Sequence, residues 1–321
     1  MTKMTKMTTK VAFPAAALAL LSCAAGVAAQ SAGAPLLADP GWLADHLGDP
    51  ELVILQVGPE ELYAQEHVPG ARRVTLDELT APMPEDGRHD EHLILQLPEP
   101  EALRSSLQRL GIGDGSRIVV VPSGGWITPS ARVLFTLDWA GLGDRTTFLD
   151  GGLEAWKAEG HPVSAEAAEA SPGRLGPLTP SDRVVDVAWV REGWMSGEDH
   201  GRPGFTLLDA RPGAFYDGVR EDRGKRGHIP GAASLPWVSL YDETDDGIVT
   251  LKPVEEVRSL LADAGVEPGD TVVAYCHIGQ YATAVLLAAR VAGHDVRLFD
   301  GSMNQWALLD LPVEAAGGGQ R

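Results

Sequence analysis

Short apolar runs rich in β-branched residues alternate along this chain with longer stretches whose apolar positions recur at helical spacing. Thr271-Val-Val-Ala-Tyr275 predicts a buried strand, and Ala282 to Ala292, rich in alanine and leucine and followed by Gly293, predicts a helix with a glycine stop. Phe205 to Asp209 and Val254 to Ala264 make another strand and helix, and Ile118 to Val121 with the helical run after it makes a third pair. Strands separated by helices pair in parallel, because each crossover returns the chain to the same end of the sheet. The predicted class is therefore α/β, with parallel sheets covered by helices on both faces. In such sheets ligands bind beyond the carboxyl ends of strands. Ala81 to His92, polar and carrying Pro82 and Pro84, predicts an exposed loop, and Ala165 to Pro180 predicts a linker.

Three landmarks recur in the same order in the two halves. His67-Val-Pro-Gly-Ala71 returns as His228-Ile-Pro-Gly-Ala232, and the strand ending before Pro122-Ser123 returns as the strand ending before Cys276. Asp150-Gly-Gly-Leu-Glu-Ala-Trp156 returns as Asp300-Gly-Ser-Met-Asn-Gln-Trp306. An ordered recurrence of this kind indicates duplication, with one domain at 36–164, the linker at 165–180 and a second domain at 181–321. A chain of 321 residues is long enough for two such cores.

Composition narrows the reading. With 44% hydrophobic and 22% charged residues the chain is that of a globular protein, and a net charge of -19 argues against nucleic acid as a partner. Residues 1–29 have the pattern of an export signal. Lys3, Lys6 and Lys10 precede the apolar run Val11 to Leu21, and Val27-Ala28-Ala29 offers a cleavage site before Gln30. Alternatively, Leu20-Leu21-Ser22-Cys23 reads as a lipobox in which a lipidated Cys23 becomes the first mature residue and anchors the protein. Both readings predict an exported protein, periplasmic or otherwise outside the cytoplasm, and the second predicts a lipid anchor. Cleavage at Ala29 leaves one cysteine, Cys276, in an oxidising compartment, with no internal disulfide and no CxxC to resolve an oxidised thiol.

Cys276 stands on a strand-to-helix turn, where backbone N–H groups and the helix dipole favour an anion. The turn predicts an acidified, nucleophilic thiol. The competing reading is a small buried hydrophobe. His89 and His92 lack a surrounding framework of carboxylates or cysteines at ligand spacing, so neither a metal nor another cofactor is expected.

Taken together, the His-Ile-Pro-Gly-Ala segment, Leu208-Asp-Ala-Arg211, the cysteine turn and the Asp-Gly-Gly-x-x-x-Trp element resemble the rhodanese family of sulfurtransferases, in its tandem form with a catalytic second domain. The resemblance covers nearly the whole mature chain and implies two rhodanese-like domains. It also implies that Cys276 carries a sulfane sulfur as a persulfide, cradled by the loop of Cys276, His277, Ile278, Gly279, Gln280 and Tyr281. Ser123 at the matching position implies a silent first domain, which also has Gln56-Val-Gly58 where the second has Asp209-Ala-Arg211. Relatives that use thiosulfate often have Arg and Lys after the cysteine, and those that use mercaptopyruvate have Gly-Ser-Gly. Here His277-Ile278-Gly279 follows, which leaves the donor open. His277 reads either as a partial cation over an anionic donor or as a solvent-facing residue.

Among the remaining residues, Asp209 and Arg211 are expected to pair structurally, His228 to order its turn, and Trp156 and Trp306 to pack. In the basic segment Arg220, Arg223, Lys225 and Arg226, where relatives place a donor-clamping arginine, Arg220 and Arg223 are the candidates. The expected activity is transfer of sulfur from thiosulfate to cyanide or a thiol by a monomer that binds only small molecules. The alternatives are 3-mercaptopyruvate as donor, or a non-enzymatic sulfane-sulfur carrier. A phosphatase of the same fold would need an arginine at the seventh loop position, which here is Ala282.

Overall fold

The computed structural model describes residues 34–83, 91–168, 171–195 and 204–315. The expected leader at 1–29, Cys23 and His89 lie outside the described residues. In the first half the chain runs β1 (Leu37–Ala38), α1 (Pro40–His46), β2 (Leu52–Val57), α2 (Glu60–Gln65), β3 (Arg72–Val74), α3 (Pro100–Arg109), β4 (Arg117–Pro122), α4 (Ile127–Leu137), β5 (Thr146–Leu149) and α5 (Gly152–Ala158). All strand pairs are parallel, in the order β1-β5-β4-β2-β3. The second half repeats the plan with β6 (Val184–Val185), α6 (Val187–Met195), β7 (Phe205–Asp209), α7 (Gly213–Tyr216), β8 (Ala233–Ser234), α8 (Val254–Asp263), β11 (Thr271–Tyr275), α9 (Gln280–Val291), β12 (Asp295–Phe299) and α10 (Ser302–Leu308). Its order β6-β12-β11-β7-β8 is that of the first sheet, and an antiparallel hairpin of β9 (Tyr241–Glu243) and β10 (Val249–Leu251) is inserted before α8.

Successive side chains of a strand point to opposite faces, and the strands here are apolar on both. Val53, Leu55 and Val57 of β2 and Ile118 and Val120 of β4 enter one large core, while Ile54, Val119 and Val121 enter a smaller cluster on the other face. In β11, Val272 and Ala274 face the large core and Val273 and Tyr275 the opposite cluster. Cys276 continues the first series and is buried in the large core.

That core belongs to both halves: Leu134 and Phe135 of α4 share it with Val285 and Leu287 of α9. Because α4 and α9 pack together, both are buried on nearly all sides, as their apolar sequences require. Asp138, just after α4, pairs with Arg290 of the second half at 3.0 Å and Arg183 at 3.1 Å. The segment read as a linker is strapped to the first half, with Gly173 N–H donating to Gln108 O and Asp114 N–H to Arg174 O.

The repeated landmarks have repeated jobs. The indole N–H groups of Trp156 and Trp306 each donate to a proline carbonyl, Pro162 O and Pro312 O, at 2.7 Å. His67 stacks on Tyr63 at 4.2 Å and His228 on Tyr216 at 3.7 Å, each ring bonding that tyrosine's carbonyl through Nδ1.

A shared core makes the halves unfold together. Leu134→Ala should destabilise the protein by about 2–5 kcal/mol in urea titration. Amide protection should fall in β11 as well as β4, and a loss confined to the first half would show that the halves are independent.

Candidate active site

The site is built where β11 ends and α9 begins. Gly279 closes the turn with φ 82° and ψ 0°, a left-handed conformation that glycine adopts without steric cost. A Cβ there would lie 3.0 Å from Asp300 O and 3.1 Å from a guanidinium nitrogen of Arg132, so both conformation and space require glycine. With the chain turned this way, the N–H groups of Ile278, Gly279, Tyr281 and Ala282 all reach the Cys276 sulfur.

Donors converge on the sulfur because the carbonyls are turned outward and held. Cys276 O accepts from Met303 N–H and His277 O from Asn304 N–H, both at 3.0 Å, so the start of α10 clips the loop. Cys276 N–H donates to Ser302 Oγ, whose hydroxyl donates to Phe299 O. Gly279 O faces the first half and accepts from Arg132 at 3.3 Å.

The expected acidified thiol is corrected by this structure. Burial pushes the Cys276 thiol above its ordinary value, and the four N–H groups reduce that rise without reversing it. The turn was read correctly, but the sulfur lies on the core face of its strand, where losing water outweighs the dipoles.

His277 lies at the mouth. Its Nδ1 is 2.6 Å from Asp222 Oδ2, and its ring meets Phe215 and Tyr281 edge-on at 4.7 and 5.7 Å. Asp222 also receives Arg211 at 3.2 Å. Burial would raise its pKa, but the hydrogen bond from His277 and the charges of His277, Arg211 and Arg223 outweigh burial and hold it below the usual carboxylate value. Asp209 and Arg211 form the expected pair, fully buried, with Nη2 to Oδ2 at 2.6 Å and Nε shared between both carboxylate oxygens. Tyr275 O–H donates to the same carboxylate at 2.8 Å. A buried polar chain thus runs from Tyr275 through Asp209, Arg211 and Asp222 to His277.

Arg220 and Arg223 flank this chain. Arg220 is exposed, with its guanidinium 4.7 Å from the centre of the Phe215 ring that also touches His277. Arg223 is half-buried and lines a cleft with Glu221, Gly224, Asn304, Ala307 and Leu308. Asp222 and Lys225 exchange backbone hydrogen bonds across a tight turn, which forces Arg223 to φ 51°. Such a conformation typically costs a non-glycine residue about 1–3 kcal/mol. Lys225 and Arg226 are engaged with Asp310 and Glu221. Of the loop residues, Ile278 and Tyr281 contribute donors, and the Gln280 side chain reaches Thr128 of the first half at 3.0 Å.

The matching turn of the first half is closed to this chemistry. Ser123 is buried and bonds Val57 O, Glu154 takes the Gly124 N–H, and neutral Gln56 replaces the Asp209 carboxylate. Two residues that sequence reading missed border the site. Asp222 sits in a charged run that gives no sign of facing a histidine, and Arg132 comes from the other half. Among the described residues no cluster suited to a metal ion occurs, and no helix is long and apolar enough to cross a membrane.

Comparison with known proteins agrees with this geometry. The family model of the rhodanese-like domain matches twice, at residues 39–159 and 188–309. The 3-mercaptopyruvate sulfurtransferase of Escherichia coli strain K12 is 30% identical, with 85% of this chain and 95% of that protein covered. The thiosulfate sulfurtransferase of Azotobacter vinelandii is 29% identical, covering 88% and 98%. The crystal structure of SseA from Escherichia coli superposes with a TM-score of 0.69 at 26% identity, over 84% of this chain and 99% of that one. Two copies of one fold and a sulfur ringed by backbone donors in the second have a single explanation: the chain belongs to the rhodanese family of sulfurtransferases.

Proposed function

We propose that the protein transfers sulfane sulfur from thiosulfate to cyanide or a thiol through a persulfide on Cys276. The observation that carries this reading is the convergence of four backbone N–H groups on one buried sulfur. The Cys276 thiolate attacks the outer sulfur of thiosulfate, the S–S bond breaks, and sulfite leaves with the electron pair. Cyanide then attacks the outer sulfur of the persulfide, thiocyanate departs, and the thiolate is restored. The N–H ring stabilises negative charge on sulfur in both states without reorganising. His277, oriented by Asp222, and the Arg220 and Arg223 guanidinium groups supply positive charge at the mouth for an anionic donor.

The Escherichia coli relative favours 3-mercaptopyruvate as a second reading. There the thiolate attacks the mercapto sulfur, the carbon–sulfur bond breaks, and the enolate of pyruvate leaves and takes up a proton. His277, next to Cys276 in the loop, is the proposed donor of that proton. Comparing kcat/KM for the two donors decides between them.

Mass spectrometry should show one added sulfur after thiosulfate and its loss after cyanide, with Cys276→Ser showing neither. A Cys276→Ser protein that still turned over donor would sink the reading. Because burial raises the thiol pKa and only the thiolate attacks, alkylation of Cys276 should reach half its limiting rate above pH ~8.5, the ordinary thiol value. A midpoint below that pH would contradict the burial argument. Half-buried Arg223 is less screened than exposed Arg220, so Arg223→Ala should lower kcat/KM roughly ten- to a hundredfold and Arg220→Ala less. Unchanged values in both variants would place the donor's cation elsewhere.

A further inference from the structure

Between the halves lies a charged group that the repeat does not explain. Arg132 of α4 has no exposed surface. It pairs with Asp300 at 2.7 Å, and its other terminal nitrogen donates to Leu95 O at 2.5 Å. A buried guanidinium is costly unless its surroundings satisfy it, so its presence calls for a reason. Much of the surrounding interface is exchanged in matched fashion: Leu97 N–H donates to the Asp300 carboxylate, and Leu251 N–H donates to the Asp150 carboxylate, both at 2.9 Å. The arginine breaks that match. Counted from the matched turn residues Ser123 and Cys276, the position of Arg132 in α4 is that of Val285 in α9. The packing of the two helices is thus compatible with an apolar residue here, and the cation occurs only on the side that faces the cysteine loop.

What it faces there is the carbonyl of Gly279, 3.3 Å from Nη1. Of the loop carbonyls turned from the sulfur, those of Cys276 and His277 are held by backbone N–H groups of their own half. The Gly279 carbonyl is held from the other half, at the residue whose left-handed conformation turns the chain from β11 into α9. Without that donor, only the first turn of α9, which Gly279 caps, would hold this oxygen, and its peptide plane could tilt toward the sulfur. It would then set a negative dipole against a thiolate or persulfide and displace the flanking Gly279 and Tyr281 N–H groups.

We infer that Arg132 is a positioning residue of the active site: by holding the Gly279 carbonyl outward it keeps the loop N–H groups on the Cys276 sulfur, so that the silent first domain completes the catalytic loop of the second. This inference rests on the sulfur-carrying role proposed for Cys276. It extends that role to a residue touching neither donor nor acceptor.

The test combines Arg132→Lys, Arg132→Met and the charge-balanced Arg132→Met/Asp300→Asn, with Asp150→Ala as a control for loss of a matched interface bond. Each is compared with the parent in stability, in kcat and KM for thiosulfate, and in the pH profile of Cys276 alkylation by iodoacetamide. The Met variants should lose roughly tenfold in kcat with KM little changed, since the mouth cations remain. Their alkylation midpoint should move up by about one pH unit, because sulfur-directed donors are lost. Lys, which keeps the charge against Asp300 but cannot fork between two carbonyls, should fall between. Asp150→Ala, which leaves Leu251 N–H without its acceptor, should lower stability without moving the alkylation midpoint. Should Arg132→Met fail to fold, the double variant and Lys carry the same comparison. A parental alkylation midpoint in the folded Arg132 variants would overturn the inference, whatever happened to kcat. Alkylation involves no sulfur donor, so it tests Arg132 even if the proposed donor proves wrong.

Discussion

A sulfur atom buried inside a protein loses its contacts with water, and here backbone dipoles arranged by the rest of the second half take their place. The N–H groups of Ile278, Gly279, Tyr281 and Ala282 supply the dipoles. Backbone N–H groups can converge on one point only if the carbonyls between them diverge, and each divergent carbonyl then needs its own partner. The start of α10 serves two of them and Arg132 a third. The loop is therefore held by what lies outside it as much as by its own conformation. Burial meanwhile holds the thiol's pKa above its ordinary value, and the N–H groups offset part of that rise.

The duplicated fold divides the work. Both halves keep the indole-to-proline bond, the stacked histidine and the aspartate that receives a backbone N–H from the other half. These features serve packing and are preserved in both. Other features differ between the halves: Cys276 against Ser123, and the buried Asp209–Arg211 pair against Gln56 and Gly58. A Cβ on Gly58 would lie 2.1 Å from Ser123 Oγ, so the first half has closed the space beside its turn. The first half instead contributes the surface against which the active loop is set, through Thr128, Arg132 and the stretch from His92 to Leu97.

Charge at the site mouth is organised from below. Arg211 is satisfied by Asp209 and Gly227 O and still reaches Asp222, which orients His277. The Asp222 carboxylate holds the His277 ring at 2.6 Å, so a residue of a separate loop sets the orientation of that imidazole. The strained turn at Arg223 lies beside this network, where a non-glycine left-handed residue is tolerated because the backbone bonds between Asp222 and Lys225 over-determine it.

Local pattern determined much of this molecule. The strand Thr271–Tyr275, the helix after it, the duplication and the turn bearing Cys276 are all written in residues close in sequence, because strand burial, helix spacing and glycine turns are short-range properties. The difference between the two turns was equally legible, since Ser123 stands where the second half has Cys276. Only the tertiary structure decided the raised pKa of Cys276, because desolvation depends on what covers the sulfur and on which face of its sheet it falls. The partnership of His277 with Asp222 required the chain to bring together residues from two separate loops. The meeting of Arg132 with Gly279 required two domains to dock. No periodicity within either segment records such a contact, because the residues that make it are neighbours only after both cores have formed.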